Sequence, residues 1–265
     1  MKLADQLNQK YAIDQHVNFT QGKGNLPFIT INTSKATATI SLLGGQVLSY
    51  IPAKAQHDLL FVSNKAYFQT GKAIKGGIPI CWPWFAAHPK DKTLPFHGLV
   101  RNQLWQIGST EQCENGDVVI TLIFKDTADT RQVWPYCFTL TQVITIGDQL
   151  GIELITTNTG SQPFHLTQAL HTYFSVGNIN AVQVTGLEDK TYLDKVDQFT
   201  EKKQTGPISV SREVDRIYQH VDKPLSISDK SWNRHIHITH AGSASSVVWN
   251  PWVDISQSSK DLQDN

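Results

Sequence analysis

The sequence predicts an all-β protein built as a large antiparallel β-sandwich, and three observations predict it. Short stretches rich in Val, Ile, Thr and aromatic residues recur between Gly, Asn, Asp and Pro punctuation. No segment sustains apolar residues at helical spacing beyond about three turns. The length of 265 residues suits one sandwich in which antiparallel sheets bury one face and hide their edges.

A short helix is expected near Met1–Lys10, followed by strands at Phe28–Thr33, Ala36–Ser41 and Val118–Phe124. Phe138–Ile146 and Leu150–Thr157 flank Gly147-Asp148-Gln149, which reads as a hairpin whose glycine supplies the turn. Further strands are expected at Phe164–Val176, Leu225–Ser228, His235–His240 and Ser246–Asn250. With no linker, low-complexity tract or repeat, residues 1–265 read as one domain.

Lys plus Arg equals Asp plus Glu at 23 each, which argues against an extended nucleic-acid footprint and against a polybasic membrane surface. The N-terminus has no signal-like apolar run, and no segment approaches the about 20 apolar residues of a membrane span. A soluble, cytoplasmic monomer is the expectation. Cys81, Cys113 and Cys137 lack metal-type spacing and read as reduced thiols.

Several segments carry side chains capable of chemistry. The run Gly76-Gly-Ile-Pro-Ile-Cys-Trp-Pro-Trp-Phe85 cannot continue a ladder easily, so it is a plug of the core or the wall of a sugar site, the plug being favoured. His171 shares its strand face with His165, Thr167, Ala169 and Tyr173; it could move a proton near neutral pH, or be a hydrogen-bonded core histidine. His97 and Arg101, four residues apart after Pro95-Phe96, could hold a polar anion, as could Lys75 before Gly76-Gly77; the alternative is a solvated surface loop. His235 and His237 would share a strand face and offer a metal pair, but no carboxylate accompanies them, and a solvated face is favoured. Asp194 reads as a turn residue, and Trp249 and Trp252 as core.

Taken in order, Lys75-Gly-Gly-Ile-Pro79, His97-Gly-Leu-Val-Arg101-Asn102, His171-Thr-Tyr-Phe174, Gly186-Leu187 with Tyr192 to Asp194, and Val247-Val-Trp-Asn-Pro-Trp252 resemble the aldose 1-epimerase family. They resemble its hexose-6-phosphate mutarotase branch most. The resemblance implies a galactose-mutarotase-like sandwich with a sugar site on the concave face of one sheet. It makes His171 the catalytic histidine, places His97 and Asp194 on sugar hydroxyls, and matches Arg101 to a phosphate-binding arginine. At Lys75 the branch commonly carries Arg; Lys keeps the charge and loses the bidentate fork. The implied reaction interconverts the α and β anomers of a hexose 6-phosphate with one acid and one base, and with no metal or organic cofactor.

In the family the base is a glutamate beyond the Asn-Pro-Trp segment, whereas this sequence ends at Asp261-Leu-Gln-Asp-Asn265. The expectation is a chain lacking its C-terminal strand; the alternative is a catalytically silent carbohydrate-binding relative. Asp254 lies near the right region, but belongs to the Asn-Pro-Trp turn.

Overall fold

Alternating burial, one side chain in and the next out, builds the longest ladders. In Phe138–Ile146 every second side chain is buried, and the same alternation runs through Val118–Lys125. A strand alternates its side chains between two faces, so this pattern dedicates one face to a core. The computed structural model describes residues 2–262 and is mostly β, with every sheet antiparallel among those residues. Two compact units divide the chain, residues 1–175 and 176–265.

The first unit carries two four-stranded sheets. One orders Val17–Gln21, Pro27–Asn32, Ala36–Ser41 and Gln46–Pro52 in sequence; the other orders Gln106–Gln112, Val118–Lys125, Phe138–Ile146 and Leu150–Asn158. Both are meanders, so each strand pairs with its neighbour in the chain. Ile29, Ile31, Ile40 and Val47 from the first sheet share one core cluster with Ile120, Leu122, Leu140 and Ile144 from the second. Each such aliphatic side chain contributes about 1.5–3 kcal/mol on full burial. The N-terminal helix spans Leu3–Tyr11; Asp5 in its first turn accepts the Lys2 backbone N–H at 3.1 Å and complements the helix dipole.

The second unit has two more four-stranded sheets. Their orders are Ile208–Ser209, Val182–Thr185, Leu225–Asp229, Arg234–Ile238 and Thr200–Lys203, Thr191–Asp194, Val214–Gln219, Ser245–Asn250. Leu187, Tyr192, Ile208, Tyr218, Val221 and Leu225 form its core.

Most sequence-predicted strands recur within a residue or two, Ala36–Ser41 and Phe138–Ile146 without any shift. The long strand expected over Phe164–Val176 does not form: only Ala169–Leu170 is regular, paired with Ile80–Cys81. Short helices at Ala128–Val133 and Trp252–Ser258 were too brief to register as periodicity. Trp249 and Trp252, expected in the core, are half-buried. No helix among the described residues is long and apolar enough to cross a membrane.

Candidate active site

The irregular run around His171 has a backbone explanation. Tyr173 N–H donates to Gly77 O at 2.9 Å, His171 N–H to Pro79 O at 3.0 Å and Thr167 N–H to Pro83 O at 3.0 Å. Together with the Ala169–Cys81 and Leu170–Ile80 pairs, these bonds keep one antiparallel register from end to end. Pro79 and Pro83 accept but have no N–H to return. Half the ladder is therefore missing around them, and only the middle is regular strand. Past His171 the run receives Phe61 N–H at Tyr173 O (2.9 Å) and donates Ser175 N–H to Leu59 O (2.9 Å). His171 thus rides on backbone that is fixed from both flanks.

The segment opposite is threaded through a tight space. Gly76 and Gly77 have φ of 117° and 62°, and a Cβ on Gly77 would lie 2.3 Å from Val47 O. Only glycine fits there. The fully buried Gln46 donates its side-chain N–H groups to Ile74 O and Gly76 O, which brackets Lys75 between two anchored carbonyls. Trp82 and Trp84 are buried, so the favoured plug reading holds for them. Phe85 instead lies against His97, ring centroids 5.0 Å apart.

His97 is delivered by a turn locked at every position. Its own backbone is left-handed, φ 66°. His97 N–H donates to Ala86 O at 2.8 Å and Leu99 N–H to Trp82 O at 2.9 Å. The Trp84 indole donates to Pro95 O at 2.9 Å, and Arg101 Nη2 donates to Phe96 O at 2.7 Å. In return Ala86 N–H donates to His97 Nδ1 at 2.9 Å. A ring nitrogen that accepts carries no proton, so the neutral imidazole must hold its hydrogen on Nε2. The hydrogen bond, rather than an observed proton, assigns that tautomer. His97 is built as a donor.

The turn and the run bring the two histidines together. Their ring centroids are 5.8 Å apart at an interplanar angle of 70°. Phe96 lies 4.3 Å from His97, while His171 stacks on Tyr173 at 4.6 Å and 20°. Possible ligand atoms of Cys81, His97 and His171 all lie within 4.8 Å of one another.

That trio offers metal-ligand atoms by residue type. Burial pushes the Cys81 thiol up to about 12, with the Arg101 charge offsetting only part of the rise, so in the metal-free protein Cys81 is a neutral thiol beside the two imidazoles. The Nδ1 bond to Ala86 also leaves a proton on the other nitrogen of His97. The arrangement suits proton donation to a neutral oxygen-rich ligand better than it suits a cation. His235 and His237 stack 6.4 Å apart on an exposed strand face, as the solvated reading expects.

Lys75 and Arg101 are half-buried in the same unit as the histidines. Asp194 belongs to the second unit, where it ends the strand Thr191–Asp194 and lines a cleft of about 280 Å³ with Lys202 and Arg216. Its carboxylate accepts Val196 N–H at 3.2 Å and Lys202 Nζ at 2.9 Å. Burial pushes that carboxyl up, but the Lys202 bond and the Lys202 and Arg216 charges outweigh it and hold it below the usual range. The turn role expected for Asp194 is thus present as a cap.

Sequence reasoning missed Cys81 and Phe96 as neighbours of the pair. The register that sets Cys81 opposite Ala169, on the face of His171, spans nearly ninety positions and leaves no local signal. Phe96 was legible only as the residue before His97.

A family model described as Aldose 1-epimerase matches residues 27–264. A Salmonella typhimurium protein named "Putative glucose-6-phosphate 1-epimerase" is 35% identical over 242 residues, covering 91% of this chain and 80% of that protein. The crystal structure of a mutarotase from Salmonella typhimurium, itself described as putative, superposes with TM-score 0.88 and 32% identity over 96% of this chain and 83% of that one. A galactose mutarotase-like protein from Lactobacillus casei shares the fold, with TM-score 0.70 and 15% identity over 84% and 83% of the two chains.

Proposed function

The chain belongs to the aldose 1-epimerase family and is an isomerase, and from that premise we propose that it interconverts the α and β anomers of a hexose 6-phosphate, glucose 6-phosphate first among them. The finer fold reading, a galactose-mutarotase-like sandwich, belongs to the same proposal. The observation that carries it is the pair His97 and His171, held 5.8 Å apart on two backbone-locked segments of one unit.

In this proposal His171 acts as the general acid. It gives a proton to the ring oxygen of the pyranose as the C1 hydroxyl gives one up. The C1–O5 bond breaks, the aldehyde forms, rotation about C1–C2 presents its other face, and reclosure reverses the two proton transfers. His97, fixed as an Nε2–H donor, holds a sugar oxygen so that the ring cannot drift away from the acid. The proton from C1 goes to a general base, a role that the family resemblance gives to a glutamate beyond the Asn-Pro-Trp segment, a residue outside the 265 of this sequence. Asp194 enters the proposal as a hydroxyl ligand on that resemblance alone.

Arg101 and Lys75 are the proposed phosphate ligands. Arg101 Nη2 donates to Phe96 O, and its planar guanidinium is the shape that recognises a phosphate in two places at once. Lys75 supplies a point charge from a bracketed loop. The proposal is supported by the relatives' names and by these two cations, and no observation favours the binding-only alternative. Anomer-exchange rates on glucose 6-phosphate and on glucose test it. The phosphorylated sugar should be preferred by about tenfold or more, and Arg101→Ala should narrow that gap, since a charged hydrogen bond is worth about 1.5–3 kcal/mol. Equal rates on both sugars would remove phosphate from the reading.

A further inference from the structure

Phe96 stands out among the aromatic residues of the first unit. The residue is 51% exposed, although apolar rings of this size ordinarily bury about 150–250 Å² of surface. Flexibility does not account for the exposure. The carbonyl before it, Pro95 O, is held by the Trp84 indole; its own carbonyl is held by Arg101; the next amide, His97 N–H, is held by Ala86 O. Three consecutive anchors fix the backbone and leave the ring facing solvent. The ring also stands 4.3 Å from His97, nearly perpendicular to it at 71°.

We propose that Phe96 is a specificity-determining residue of this site, a flat platform against which the C–H face of a pyranose rests while His97 and His171 address its oxygens. The inference rests on the mutarotase reading and adds to it the residue that selects the sugar's ring face. A pyranose has an apolar face made of axial C–H bonds, and an aromatic ring that is exposed, anchored through its backbone and adjacent to the His97 imidazole offers the matching surface. Arg101 links this platform to the charge end of the substrate. The same guanidinium that is proposed to hold phosphate also pins the Phe96 carbonyl, so one residue sets the spacing between the two.

Sugar affinity and anomer exchange are to be measured separately, by saturation-transfer titration of glucose 6-phosphate and by magnetisation-transfer rates, on the wild type and on Phe96→Ala, Phe96→Leu and Phe96→Tyr. Phe96→Ala is expected to weaken binding and raise KM by about 3- to 10-fold, as for the loss of one aromatic contact, with a smaller change in kcat. Phe96→Leu should resemble Phe96→Ala, because bulk without a flat face is not enough, and Phe96→Tyr should restore the wild-type value. The ratio of KM for glucose 6-phosphate to that for its C4 epimer should also shift in Phe96→Ala, a change that a purely structural role would not produce. Wild-type affinity in folded Phe96→Ala, or full restoration by Phe96→Leu, would overturn the proposal while leaving the mutarotase reading intact. A wild type that binds sugar but exchanges no anomers would overturn the mutarotase reading, and the binding series would still decide the platform. A wild type that does neither overturns both.

Discussion

Replacing Gly98 by alanine should damage stability and catalysis together. Gly98 has φ 82°, and a Cβ there would sit 2.0 Å from Trp82 O and 2.4 Å from Trp82 C. Those atoms are backbone, so no side chain can swing aside. The left-handed conformation alone costs an L-residue roughly 1–2 kcal/mol. Relieving the clash means opening the Leu99 N–H to Trp82 O bond, now 2.9 Å, which adds about 1 kcal/mol, and separating packed chain around two buried tryptophans adds more. A total of about 3–4 kcal/mol should lower Tm by roughly 10 °C in a chain of this size. The neighbouring residue is His97, and a displacement of about 1 Å in a reacting group can cost on the order of a hundredfold in rate. Thermal unfolding and anomer exchange on Gly98→Ala measure both effects. A variant that melts within about 2 °C of the wild type and exchanges anomers at full rate would refute the reasoning.

Cysteine chemistry offers a second check, because burial pushes the Cys81 thiol up to about 12 and leaves only about one thiolate in a hundred thousand at neutral pH. Iodoacetamide should label the exposed Cys137 readily and reach Cys81 only on unfolding; peptide mapping that finds Cys81 labelled as fast as Cys137 would contradict this environment. For Asp126, burial pushes the carboxyl up, but the Phe138 N–H at 2.8 Å and the Arg131 ion pair outweigh it and hold it below the usual range. A depressed folded pKa stabilises above the unfolded value and loses that contribution as pH falls through the folded one, so wild-type Tm should decline below about pH 4. Asp126→Asn should start lower and decline less steeply; an identical slope would show that this carboxylate is not involved.

The sequence foretold the ladders better than it foretold the site. Phe138–Ile146 and Leu150–Asn158 were legible because alternation and a glycine turn are local signals, and one buried face enforces the register. Phe164–Val176 misled because its residues have strand character, while the partner chain opposite carries Pro79 and Pro83 and cannot complete the ladder. Its path was right and its regularity was not. His97 and His171 were both legible as candidates, but the distance between them depends on Gly98 passing close to Trp82, a contact that sequence spacing does not encode. Asp194 illustrates the opposite case: its capping bond to Val196 is the local event that its sequence context suggested.

The central claim is that His171 is the acid of an anomer-exchanging site. Magnetisation transfer between the two C1 protons of glucose 6-phosphate, with wild type and with His171→Ala, tests it most directly. The wild type should exchange anomers above the buffer rate, and a His171→Ala variant that melts like the wild type and still binds the sugar should lose roughly 10²- to 10⁴-fold. Exchange that survives in folded His171→Ala, or a wild type indistinguishable from buffer, would contradict it.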